Sequence, residues 1–155
     1  MPYLQMDVSH RYPIEVKRGL AQRLGTIYAD VMQTVSNKVT VAFRELEEGS
    51  LWRCGVGEPA TAAVLMCDIR RGRPAEQRAQ LAEALVAACV EALRLPPTAL
   101  LIEFTQHSGD EIFLPGPGLA RDWTPVEAQT LAPEGARVPS PTPSNEPTLF
   151  VASSP

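Results

Sequence analysis

Cysteine and histidine are scarce in this chain, and neither is spaced to hold a metal. Cys54, Cys67 and Cys89 form no Cys-x-x-Cys or Cys/His pattern, and the two histidines, His10 and His107, stand far apart. That spacing excludes the usual zinc arrangements, and no metal or other cofactor is expected. Three cysteines cannot all pair within one chain, so reduced, mostly buried thiols are expected, as in a cytosolic protein. An excess of positive charge is also missing. The formal net charge is -4, which leaves no global basic surface for nucleic acid. Long apolar runs are absent too. The most apolar stretch, residues 84–90, is far too short to span a bilayer. The opening residues, Met1 to Asp7, show neither a basic region nor an apolar run, so no targeting segment is expected. These absences predict a cytoplasmic protein with neither a membrane nor a nucleic acid as partner.

What is present suffices for one core. The chain has 155 residues, of which 45% are hydrophobic, and that suits a single soluble domain. Its organisation is a unit written twice. Residues 6–51 match residues 67–112 at a constant offset of 61, without a gap. Asp7 matches Asp68, Pro13 matches Pro74, Glu15 matches Glu76, and Lys17 matches Arg78. Leu20 and Leu24 match Leu81 and Leu85, and Val39, Val41 and Phe43 match Leu100, Ile102 and Phe104.

Each unit reads as strand, helix, strand. The opening strands are 3–8 and 63–69, short and rich in apolar residues. A polar turn then leads to Pro13 or Pro74, expected in the first turn of a helix, where a missing N–H costs nothing. Glu15 and Glu76 follow where the helix dipole favours negative charge. Leu20, Leu24, Ile27 and Val31, and likewise Leu81, Leu85, Ala88 and Ala92, recur at helical spacing. The closing strands are 39–46 and 99–106. Two such β-α-β units predict an α/β (α+β) fold, a four-stranded mixed sheet with two helices on one face. Apolar residues at both strand parities predict a bare apolar second face, and hence oligomerisation.

The units occupy about 2–58 and 62–116 of one domain, 2–116. Residues 117–155 read as a proline-rich extension, partly disordered, since 115–155 hold nine prolines in 41 residues. Leu149, Phe150 and Val151 form a short apolar patch in it, more in keeping with a frayed terminus than with a docking segment.

Two places could carry chemistry. Pro2 would become a free secondary amine once Met1 is removed. Burial near cations would lower its proton affinity, because desolvation and like charge both disfavour the ammonium form. A drop of about two units corresponds to roughly 2.7 kcal/mol and would leave a base poised near neutral pH. The second place is the run from Ile69 to Gln77, where the third strand meets the second helix. Arg70, Arg71 and Arg73 there form a candidate anion site at the carboxyl end of a strand, or else a set of solvated surface charges. Asn37 and Lys38 precede the second strand and could polarise a carbonyl or end the first helix. Leu51, Trp52 and Phe113 are candidate apolar walls. Phe104 suits the core, and Glu103 and His107 suit the surface.

The proline start, the arginine turn and the doubled β-α-β unit together resemble the tautomerase superfamily, over roughly residues 2 to 116. The stretch Asp68-Ile69-Arg70-Arg71-Gly72-Arg73-Pro74-Ala75-Glu76-Gln77 is similar to the strand-to-helix turn of 4-oxalocrotonate tautomerase, and to that of 5-carboxymethyl-2-hydroxymuconate isomerase. The resemblance puts Arg73 on the carboxylate-binding arginine and Leu51 on an apolar pocket position. It implies Pro2 as general base, with Arg70 or Arg71 stabilising charge, in an isomerase of small unsaturated 2-oxo or 2-hydroxy carboxylic acids. The spacing of Arg71 and Arg73 resembles malonate semialdehyde decarboxylase, and that of Arg70 and Arg73 resembles cis-3-chloroacrylic acid dehalogenase. Asn37, however, replaces the acid of the first and Tyr28 the histidine of the second. The simple tautomerase's second arginine falls on Thr40, so Arg70, Arg71 or Lys38 would take its place. A hydratase, dehalogenase or decarboxylase of three-carbon acids is the alternative, and a non-catalytic binding protein of the same fold another. The fused chain implies a homotrimer. Ala63 stands in the second unit where Pro2 stands in the first, which implies one active site per chain.

Overall fold

A computed structural model describes residues 2–130. The two prolines begin the same event in both halves. Pro13 and Pro74 are the N-caps of α1 (Ile14–Met32) and α2 (Ala75–Leu93), each 19 residues long. They sit just before the first turn rather than within it, in extended backbone, and their carbonyls accept from Lys17 N and Arg78 N at 3.2 and 3.3 Å. The helices also end alike. Gln33 (φ 51) and Arg94 (φ 53) take the left-handed conformation and donate to the carbonyls of Ala29 and Val90. Single-turn 3-10 segments follow at Ser36–Lys38 and Pro97–Ala99. Each of these pairs is separated by 61 positions, so the repeat seen in the sequence is a repeat of hydrogen bonds as well.

The strands of the units are β1 (Tyr3–Val8) and β2 (Thr40–Glu45), then, after a short hairpin of β3 (Trp52–Arg53) and β4 (Ala60–Thr61), β5 (Ala63–Arg70) and β6 (Leu100–His107). They form one mixed sheet in the order β2-β1-β5-β6. β1 and β2 are parallel, as are β5 and β6, while β1 and β5 run antiparallel with Tyr3 opposite Asp68. Two β-α-β units related by a local two-fold produce this order, and the helices share one face, as expected.

Alternation along the strands sorts the residues. Leu4, Met6 and Val8 of β1 and Leu65, Cys67 and Ile69 of β5 are buried beneath Leu20, Leu24, Tyr28, Leu81 and Leu85 of the helices. Each fully buried leucine contributes about 1.5–3 kcal/mol. The other face corrects the expectation of a bare apolar surface. It presents Tyr3, Gln5, Asp7, Arg44, Asp68, Glu103, Thr105 and His107 among fewer apolar residues. These polar groups pair with one another: Arg44 Nε with Asp7 at 3.3 Å, Gln5 with Asp7 at 3.0 Å, and His107 Nε2 with Asp68 at 2.7 Å. Apolar parity in the sequence is carried there by Ala42, Val64, Met66 and Leu101, too few and too interspersed to make an apolar face.

After β6 the chain makes a second hairpin, β7 (Phe113–Leu114) with β8 (Gly118–Leu119), and a short helix α3 (Pro125–Gln129). These residues pack back on the turn between β5 and α2. Trp123 is buried, and its backbone N–H donates to the Arg71 carbonyl at 2.9 Å. The patch at Leu149–Val151 lies outside the described residues. No described helix is long and apolar enough to cross a membrane.

Candidate active site

The end of the sheet where β1 begins and β5 finishes holds a small cavity of about 60 Å³. Pro2, Tyr28, Lys38, Arg70, Arg73 and Glu127 line it, with Thr34, Leu114 and Ala120. Sheet pairing explains the convergence. The Pro2 carbonyl accepts from Thr40 N at 3.0 Å, which fixes it beside the start of β2 and the Lys38 turn. The antiparallel register from Tyr3 to Asp68 sets Pro2 beside the last residues of β5.

The two inward arginines are held differently. Arg73 is only 5% exposed. Its Nε donates to the Met32 carbonyl at 2.8 Å, at the negative end of the α1 dipole. Its guanidinium lies 5.0 Å from the centre of the Trp123 ring. Burial lowers its proton affinity from the ordinary arginine value, an effect partly opposed by Tyr28. No described residue hydrogen-bonds its two Nη groups. Arg70 is paired instead: its Nη2 lies 2.6 and 2.8 Å from the two carboxylate oxygens of Glu127. Tyr28, buried beneath them, keeps its proton, because burial pushes its phenol up to about 12. The site thus offers a proline nitrogen, three cations, one carboxylate and one neutral phenol.

Gly72 makes the arginine turn possible. Its φ of +118 favours glycine, and a Cβ there would collide with the Trp123 backbone. The turn swings Arg71 out. Arg71 is exposed and serves through its backbone, which bonds His107 and Trp123.

Of the residues singled out in the sequence, Pro2, Lys38, Arg70 and Arg73 meet in this cavity. Arg71, Asn37, Leu51, Trp52 and Phe113 do not line it within one chain. Asn37 faces a shallow groove along α1, beside Ala21 and Gly25. Trp52 and Phe113, 51% and 69% exposed, open the first strands of the two hairpins, opposite Thr61 and Leu119. Tyr28, Thr34 and Glu127 enter as additions. Tyr28 continues the α1 stripe four residues after Leu24, so its burial was legible. Glu127 lies 57 residues from Arg70, with no local pattern to announce it. Among the described residues no group of three or more His, Cys, Asp or Glu could hold a metal ion. Cys67 and Cys89 are free and buried, and burial pushes both thiols up to about 12.

No protein-family model matches the sequence, and no curated protein matches it. Solved structures do. N1, a member of the cis-3-chloroacrylic acid dehalogenase family, superposes with a TM-score of 0.69 at 24% identity, over 77% of this chain and 85% of its own. Pt0534, in a structure inactivated by 2-oxo-3-pentynoate, gives 0.66 at 20%, over 76% and 94%. A fused 4-OT solved as a symmetric trimer gives 0.66 at 18%, over 76% and 94%. The chain therefore has the fold of the tautomerase superfamily, in its form with two β-α-β units in one polypeptide.

Proposed function

We propose that this protein is a tautomerase of small unsaturated 2-oxo or 2-hydroxy carboxylic acids, with Pro2 as general base. One observation carries the reading: Pro2, Lys38, Arg70 and Arg73, scattered over 72 positions of sequence, line a single cavity. Three cations beside an amine disfavour its protonated form, which is what a base working near neutral pH needs. Arg73, through its free Nη groups, holds the substrate carboxylate by two parallel hydrogen bonds. Lys38 or Arg70 faces the 2-oxygen and stabilises the negative charge of the dienolate. Pro2 takes the proton from the 2-hydroxyl and returns it to a carbon of the conjugated system, so the net change is an isomerisation. Arg71, turned outward, has no part in this scheme. The cavity is small, about 60 Å³. The active assembly is a homotrimer, the state named for one fused 4-OT of this fold. In it Leu51, Trp52 and Phe113 serve as walls contributed to a neighbouring copy.

The experiment uses protein whose intact mass shows Met1 removed, since an acylated Pro2 is an amide and no base. Ketonisation of 2-hydroxymuconate and phenylenolpyruvate is followed by ultraviolet absorbance. We expect turnover, reduced about 100-fold or more in Pro2→Ala and in Arg73→Ala. A neutral amine should also add to the electron-poor alkyne of 2-oxo-3-pentynoate, raising the mass of the N-terminal peptide by one probe. Turnover unchanged in Pro2→Ala sinks the mechanism.

A second reading rests on Glu127. A carboxylate in the same cavity as Pro2, Arg70 and Arg73 could orient a water, which suits hydration or dehalogenation of three-carbon acids. The small cavity and the likeness to N1 favour it. 3-Chloroacrylate and an acetylenic acid are the substrates that separate the two readings.

A further inference from the structure

Arg73 is a buried cation without a carboxylate partner among the described residues. Its Nε donates to the Met32 carbonyl at 2.8 Å, which holds one edge of the guanidinium. A planar group held at one edge can still swing about that bond. A swinging pair of donors binds a carboxylate poorly, because its motion has to be frozen on binding. The second restraint comes from Trp123. The Arg73 Cζ lies over the indole ring, 5.0 Å from its centre. Edge and face together set the plane of the guanidinium.

Trp123 is itself locked in place. Its backbone N–H donates to the Arg71 carbonyl at 2.9 Å, and the neighbouring Asp122 carboxylate accepts from Gly109 N at 2.7 Å. Two glycines admit the backbone of this segment. A Cβ at Gly72 would collide with the Trp123 carbonyl, and one at Gly109 with the Arg121 carbonyl. Residues 121–123 are thus wedged between two turns that have no room for a side chain at those positions. The indole is held there at a cost: Trp123 is 5% exposed, and its ring N–H has no hydrogen-bond partner among the described residues. A phenylalanine would fill much of the same space without that cost. What the indole adds is the aromatic face that attracts a cation most strongly, and the cation over it is Arg73.

We propose that Trp123 is a positioning residue for Arg73: its ring fixes the plane of the guanidinium, so that the Nη groups meet a carboxylate in one orientation, and it thereby sets the affinity of the cavity for carboxylates. Trp123 does not itself line the cavity, so it acts through Arg73. The proposal rests on the carboxylate-binding role given to Arg73 in the proposed function, and not on Pro2 as a base.

The test uses the full chain as wild type, Trp123→Phe and Trp123→Leu. The amide shifts of Gly72 and Arg73 are followed by NMR during titration with propionate, and separately with propionamide, its neutral isostere. Kd for propionate rises about tenfold in Trp123→Leu, the equivalent of about 1.4 kcal/mol, and about threefold in Trp123→Phe, whose ring has the weaker face. Propionamide gives the same titration with all three proteins. Solvent exchange of the Arg73 Nε–H, slow while it is buried and bonded to the Met32 carbonyl, quickens from wild type to the phenylalanine variant and again to the leucine variant. The phenylalanine variant carries the test alone if the leucine variant does not fold. Equal Kd for propionate in wild type and variants, or propionamide weakened as much as propionate, overturns this proposal and leaves Arg73 its role. Propionate that does not bind the wild-type protein overturns both.

Discussion

Arg70 and Arg73 are three residues apart, yet Arg70 is ion-paired, while Arg73 has no carboxylate partner among the described residues and bonds the Met32 carbonyl instead. Glu127 neutralises Arg70 at 2.6 Å with both partners partly buried, so it competes with any substrate carboxylate for that cation. Glu127→Gln removes the competing charge and keeps the shape. For a tautomerase, KM for 2-hydroxymuconate should then fall several-fold with kcat nearly unchanged. For a water-adding enzyme, kcat on 3-chloroacrylate should collapse instead. Steady-state kinetics on the two substrates decides between them, and an unchanged KM and kcat on both would leave Glu127 with no part in either scheme. The contrast also shows what single residues reveal in sequence. Lys38, Arg70 and Arg73 were legible because strand ends and helix starts gather at one edge of such a sheet. The choice between Arg70 and Arg71 was not, because it depends on where β5 gives way to the Gly72 turn. Glu127 was invisible for a stronger reason: nothing within a window of helix or strand length connects it to Arg70.

The two β-α-β units agree in their unfavourable details as well as their favourable ones. Gln33 and Arg94 both occupy the left-handed conformation with ordinary side chains, which glycine adopts without strain. Arg94 is exposed and makes its C-cap bond through the backbone alone. Arg94→Gly should therefore stabilise the protein by about 0.5–1 kcal/mol, raising Tm by about 1–4 °C. Arg94→Ala should not. Thermal unfolding of the two variants by circular dichroism checks this, and equal Tm values would mean that the strain is relieved elsewhere. At this scale the sequence was most readable. Prolines, first-turn acids and leucine stripes placed both helices, and only the position of each proline shifted, to the N-cap. Residues 117–130 were harder. Their prolines suggested irregular chain, while the contact that orders them, Trp123 on Arg73 and Gly72, spans 50 positions.

For the whole molecule, the core is also where pH should act. Tyr28, Cys67 and Cys89 lie between sheet and helices, and burial raises the phenol from 10.0, and both thiols from 9.0, to about 12. Well below pH 9 all three are protonated whether the chain is folded or not. Above pH 9 the unfolded chain releases thiol protons, and above pH 10 a phenol proton, that the folded chain retains, so stability falls as pH rises toward 12, by up to about 1.4 kcal/mol per pH unit for each group then titrating. Urea unfolding at pH 8, 10 and 11 should show that decline, and a smaller one in Cys89→Ala. A flat profile would mean that the core groups titrate as if exposed. Assembly is the other property of the whole. The sheet order and the helix-covered face followed from the repeat, but the open face did not turn apolar, and its ion pairs are already satisfied within one chain. Association would therefore draw apolar area from elsewhere as well, and half of the exposed large apolar side chains belong to the hairpins: Trp52, Val56, Phe113 and Leu119. A trimer of 16.8 kDa chains held in this way should withstand 0.5 M salt, because apolar contacts are not screened as ion pairs are. It should fall to monomers in the Trp52→Ser, Phe113→Ser double variant. Light scattering behind a sizing column measures both. A wild-type monomer at tens of micromolar would end the trimer reading. A variant monomer that still turned over substrate would show that the cavity around Pro2 is complete within one chain, whereas a folded but inactive monomer would mean that the neighbour supplies its missing wall.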